Sequence, residues 1–106
     1  MSTFDKREEA FENKYAHDEE LNFKVVARNY KLLGLWAAEK LGKTGVAAED
    51  YANALVVKEV SAPAGSGVLK QVLDDFVAAG VAQSEHQISR TFGELRAQAV
   101  KDVTAA

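Results

Sequence analysis

LNFKVVARNYKLLGLWAAEKL, residues 21–41, decides the fold. Phe23, Val26, Tyr30, Leu33 and Ala37 recur at intervals of three and four, which places them on one face of an α-helix, and Val25, Leu32 and Trp36 widen that face. Trp36 reads as core, because large rings dominate small interiors. Lys24, Arg28 and Lys31 occupy the opposite face. Leu35 continues their row, and an apolar group there marks a candidate interface. Gly42 follows where a glycine commonly stops a helix. Asp18 is a candidate N-cap, with Glu19 and Glu20 in a first turn where the helix dipole favours acids.

Three shorter helices are expected downstream. Residues 47–60 carry Tyr51, Ala54, Leu55 and the Lys58 stem on one side, and the stretch around Pro63 and Gly65 stops them. Residues 67–79 place Leu69, Val72, Leu73, Phe76 and Val77 on one stripe, between a Ser66 cap and a Gly80 terminator. Residues 84–103 open with Ser84 and Gln87 in capping-box spacing, then run Ile88, Phe92, Leu95, Ala99 and Val103 along one line. Strand-like alternation and internal repeats are absent from the sequence. Four amphipathic helices joined by short turns bury their stripes on one another, so the expected fold is an all-α four-helix bundle over 21–106.

Upstream lies a different kind of sequence. Residues 1–20 hold seven acids and three bases, a net −4, while residues 21–106 hold nine acids and ten bases, a net +1, so all of the excess negative charge lies in the first segment. Its large apolar groups are Phe4, Phe11 and Tyr15, too few to offset chain entropy in isolation. Yet it contains neither Gly nor Pro, and those three fall at i, i+7 and i+11, one narrow helical stripe with Arg7, Glu8 and Lys14 on or beside it. A striped segment too polar to fold alone fits a mobile, conditionally helical N-terminal arm that orders on binding a partner. Nothing between residues 4 and 41 forces a break, so arm and first helix can form one rod of roughly 55 Å at 1.5 Å per residue.

Composition limits the chemistry. At 106 residues, 47% apolar and 27% charged, the chain supports one globular core and little more. It has no cysteine, which removes disulfides, thiolate metal sites and a cysteine nucleophile. No concentrated basic face is present to hold nucleic-acid phosphates. Neither a secretory signal nor a run of ~18 apolar residues occurs, so a cytoplasmic protein not embedded in a membrane is expected. His17 and His86 have no partner at i+4 for a zinc site, and no nucleophile and base are paired in sequence, so neither a metal nor enzymatic activity is expected. Gly42, Lys43 and Thr44 imitate the end of a P-loop, but Ala37 stands where that motif has a glycine, and a helix precedes it instead of a strand. A glycine C-cap and turn is the preferred reading there. The alternative is a nucleotide-sensing helical bundle that binds adenine nucleotide weakly at Gly42–Thr44 or in a cleft between helices.

The stretch FDKREEAFENKYAHDEELNFKVVARNYKLLGLWAAEKLG, Phe4 to Gly42, resembles the zeta subunit family, inhibitors of the alphaproteobacterial F-type ATP synthase. One block carrying the likeness runs from Phe4 through Arg7, Phe11, Lys14 and His17 to Leu21; the other runs from Phe23 through Ala27 and Arg28 to Gly34, Leu35, Trp36 and Glu39. Ser84, His86, Gln87, Ile88, Arg90, Glu94 and Leu95 add scattered marks. Tyr15 stands where a Phe is common, and Asn29 with Tyr30 replaces a more basic pair. The resemblance implies a protein inhibitor whose arm, residues 1–20, enters a catalytic interface between alpha and beta subunits, with the gamma subunit as a further candidate partner, and blocks ATP hydrolysis. Phe4, Arg7, Glu8, Phe11, Lys14 and Tyr15 would then contact the partner.

Overall fold

A computed structural model of the chain describes residues 3–62 and 67–105, with side chains from residue 19 onward. Four helices follow one another: α1 (Thr3–Lys40), α2 (Gly45–Ser61), α3 (Val68–Ala79) and α4 (Glu85–Ala105). No strand occurs among the described residues. The chain is the all-α four-helix bundle that its periodicity requires.

Local chemistry fixes three of the helix ends. Gly42 takes φ 80°, the left-handed conformation that a Cβ penalises, and lets the Gly42 N–H reach the Glu39 carbonyl and the Lys43 N–H reach the Ala38 carbonyl. Gly80 repeats this at the end of α3, with φ 72° and bonds from Gly80 to Val77 and from Val81 to Phe76. At the start of α4, the Gln87 N–H donates to Ser84 Oγ at 3.1 Å and the Ser84 N–H donates to Gln87 Oε1 at 2.8 Å, a reciprocal capping box. Ser66 lies outside the described residues; the residue described immediately before α3 is Gly67.

α1 is the axis of the bundle. It packs extensively on α2 and α4, and α3 closes the far end against both of those. The core joins Leu33 and Ala37 of α1 to Leu55, Val68, Val72, Phe76 and Ile88, and burying each large side chain contributes about 1.5–3 kcal/mol. Trp36 packs edge-on to Phe76 with ring centroids 5.6 Å apart, and Tyr30 meets Phe92 at 4.7 Å. Gly34 lets α1 and α2 touch backbone to backbone: a Cβ there would lie 2.5 Å from Ala52 Cα.

Several expectations need correction. α1 runs without interruption from Thr3, so no helix starts at Asp18 and the one-rod alternative is the one the backbone takes. Phe23, assigned to the core face, is 58% exposed, whereas Asn29 is buried between Val25 and Leu33. In α2 the buried pair is Ala52 and Leu55, while Ala54 and Lys58 are exposed. Val77 of α3 is exposed, and Val68 takes its place in the core. Lys24, Arg28 and Lys31 do not share an outer face. Arg28 pairs with Asp102 of α4, and Lys31 pairs with Glu49 of α2. A helix packed on two neighbours buries a broad arc, and long cationic side chains at its margins reach along the partners with their heads toward water.

Candidate functional site

The side chains of Phe4, Arg7, Glu8, Phe11, Lys14 and Tyr15, the expected partner-binding set, lie outside the described residues. Their backbone belongs to α1, so they sit on the same helix as the bundle's central seam. Leu35 is half-buried one turn beyond Lys31, on the side of α1 where α2 runs.

Where α1 enters the bundle, its turns from Leu21 to Lys31 meet the middle of α2 and the last turn of α4 around an open groove of about 1060 Å³. Leu21, Phe23, Ala27, Val56 and Val103 give it an apolar lining. Three cations and one carboxylate complete it. The Arg28 Nε donates to Asp102 Oδ2 at 2.8 Å, and Lys31 donates to Asn53 Oδ1 at 2.7 Å and also pairs with Glu49. Lys24 stands 3.3 Å from Glu20, one turn earlier on α1. The Gln98 amide first, and then Arg28, hold the Asp102 carboxyl below its usual range.

Beside the groove, Phe23, Val26, Ala27, Tyr30, Val56, Glu59 and Val60 enclose a notch of about 100 Å³ between α1 and α2. Burial, and then a hydrogen bond to the Glu59 carboxylate, push the Tyr30 hydroxyl up to about 12. Tyr30 therefore stays neutral through the physiological range, its hydroxyl donating a hydrogen bond to Glu59.

A third feature lies at the opposite end of α1. The Tyr51 hydroxyl donates to Asp75 Oδ2 at 2.7 Å, and burial together with that carboxylate raises the phenol well above its ordinary range. Lys43 lies over the Tyr51 ring, 5.9 Å from its centroid. The neighbouring Gly42–Thr44 turn is the expected glycine C-cap: the Gly42 and Lys43 N–H groups are spent on carbonyls of α1.

These arrangements suit binding more than bond-breaking chemistry. The groove's charged groups meet opposite charges, and among the described residues no three His, Asp or Glu side chains gather where a metal could sit. Sequence reasoning missed the groove because it placed Phe23 inside and the three cations outside. The available signal was the density of valines at 56, 57 and 60, more than one buried stripe of α2 needs.

Comparison with curated proteins and with solved structures returned no match. A family model described as ATPase inhibitor subunit zeta does match, over residues 1–102, which takes in the N-terminal segment, α1 to α3, α4 as far as Asp102, and the groove's lining apart from Val103 and Thr104. Covering nearly the whole chain, that match establishes that the protein belongs to the ATPase inhibitor subunit zeta family.

Proposed function

We propose that this chain restrains ATP hydrolysis by an F-type ATP synthase, acting as a regulatory protein without catalysis of its own, on the cytoplasmic side. Residues 1–20 are the inhibitory arm, entering a catalytic interface between alpha and beta subunits close to gamma, and residues 21–106 are the holder. The observation that carries this reading is the family match, which spans the arm as well as the bundle. The physics of the arm agrees with it. Phe4, Phe11 and Tyr15 supply the apolar burial needed to offset ordering a polar segment, and Arg7, Glu8 and Lys14 set register by pairing across the interface. No described helix is long and apolar enough to cross a membrane.

Deleting residues 1–19 tests the arm. The expected result is a chain with the bundle's helical circular dichroism and no inhibition of ATP hydrolysis; full inhibition by the shortened chain would remove the assignment. A nucleotide-sensing bundle is the second reading, supported by the surface hollow that Lys43 shares with Leu41, Tyr51, Gln71 and Asp75. Millimolar adenine nucleotide that shifts no bundle resonance would end it.

A further inference from the structure

The seam of α1 changes character at Leu33. From there toward Lys40, Leu33, Ala37 and Ala38 are wholly withdrawn from water, and Leu33 and Ala37 belong to the continuous core with Leu55, Val72, Phe76 and Ile88. Between Leu21 and Lys31 the buried side chains are Val25, at 6% exposure, and Asn29, at 3%. Val25 stands outside the core cluster, and Tyr30 is the side chain of this stretch that packs against it, ring to ring with Phe92. Asn29 takes the seam position between Val25 and Leu33, and its Oδ1 is buried without a hydrogen-bond partner.

That combination weakens docking twice. An orphaned buried carbonyl oxygen regains its hydrogen bonds as soon as the segment meets water, so its desolvation favours release. Few apolar atoms oppose it. The groove opens one flank of the stretch to water along Leu21, Lys24, Arg28 and Lys31. On the other flank the notch bounded by Val26, Tyr30 and Val60 is incompletely filled, so its lining forfeits dispersion contacts. The ties that remain are polar and reach solvent: Arg28 to Asp102, Lys31 to Glu49 and Asn53, and Tyr30 to Glu59. Part-exposed pairs of this kind hold little. None of them includes a buried core residue, so parting them leaves the core around Leu33 and Phe76 packed.

We infer that residues 21–31 of α1 form a releasable strap, which lifts off α2 and α4 as a unit while Leu33 to Lys40 stay docked, and that Asn29 sets how readily it lifts. The inference stands on packing alone and holds whatever α1 binds. Release adds roughly 16 Å of α1, at 1.5 Å per residue, to the length that a partner can surround. Asn29 lowers the stability of the closed bundle and keeps that length accessible.

Native-state hydrogen exchange of the full chain, read amide by amide by NMR, tests the strap. A segment parted from the bundle keeps little helix, since isolated helices are marginal in water, so its amides exchange on release. In the wild type, amides of residues 25–31 should exchange about a hundredfold faster than those of 34–40, after correction for intrinsic rates. Ile88→Val, in the core that stays packed, should speed exchange at 34–40 about fivefold and leave 25–31 unchanged. Asn29→Leu, which puts an apolar group of similar shape in place of the orphaned amide, should slow exchange at 25–31 about tenfold. Should that variant melt early by circular dichroism, the smaller Asn29→Val replaces it with the same direction expected. Equal protection across 25–40 in the wild type, or an equal response of both stretches to Ile88→Val, means that α1 comes away only when the whole bundle unfolds, and overturns the strap. Unchanged or faster exchange at 25–31 in the apolar variant overturns the role of Asn29.

Discussion

The two ends of the bundle are built on different terms. At the closed end, Leu33, Ala37, Leu55, Val72 and Phe76 are wholly withdrawn from water, and Gly34 brings two backbones into contact. At the open end, Phe23 and Val60 face solvent, and α1 is tied to α4 by a part-exposed ion pair. The same helix, α1, runs through both. The closed end has a core with little tolerance for change, although Val46 and Val77 on its surface are exposed. The open end holds apolar area in reserve, and its polar contacts contribute little to stability. A dry core and a half-open end thus share one helix.

Mutations that break this division should rank by end. Phe76→Ala empties the centre of the closed end and should cost about 3–5 kcal/mol, enough to leave the bundle partly unfolded at ambient temperature, as chemical denaturation would show. Gly34→Ala should be next. The added methyl meets Ala52 backbone at 2.5 Å, and overpacking of about 1–3 kcal/mol outweighs the roughly 1 kcal/mol that alanine returns in helix propensity. A variant more stable than wild type would show that the two helices slide apart freely.

The open end should answer more weakly and with a pH signature. Asp102 is held below its usual pKa, so the stability it contributes is fully present above its unfolded value, near 4, and is lost as pH falls through the folded one. Asp102→Asn should lower the melting temperature slightly at pH 7, less than Gly34→Ala does, and the difference from wild type should vanish near pH 2. An equal difference at both values would mean that the carboxylate charge plays no part.

The sequence made three helix ends legible and the central helix's faces only in part: Leu33 and Ala37 lie in the core with Tyr30 and Trp36 against it as expected, whereas Phe23 lies outside and no helix starts at Asp18. Gly42, Gly80 and the Ser84–Gln87 box act through the residue itself and its nearest neighbours, so local reasoning found them. Leu69, Val72, Leu73 and Phe76 were equally readable, because α3 lies at the edge of the bundle and buries one narrow stripe. α1 touches α2 on one side and α4 on another, so Lys31 and Arg28 belong to interfaces that a single apolar stripe could not reveal. Asn29 hides among apolar neighbours with its Oδ1 unbonded, and nothing in its own chemistry announces burial. Gly34, in the middle of a strong helical pattern, was the one local hint that another backbone comes close. For the site, the arm's stripe was visible from periodicity, whereas the groove required knowing which helix ends converge.

The central claim is that the arm inhibits and the bundle holds it, and one hydrolysis assay tests it most directly. Full-length chain carrying Phe4→Ser, Phe11→Ser and Tyr15→Ser is compared with wild type on purified F-type ATPase, with melting of the bundle recorded in parallel. The account predicts wild-type melting of the bundle core and inhibition reduced by at least a hundredfold, since three apolar anchors at about 1 kcal/mol or more each are lost. Inhibition at wild-type concentrations by that variant would contradict it and move the active surface into the bundle.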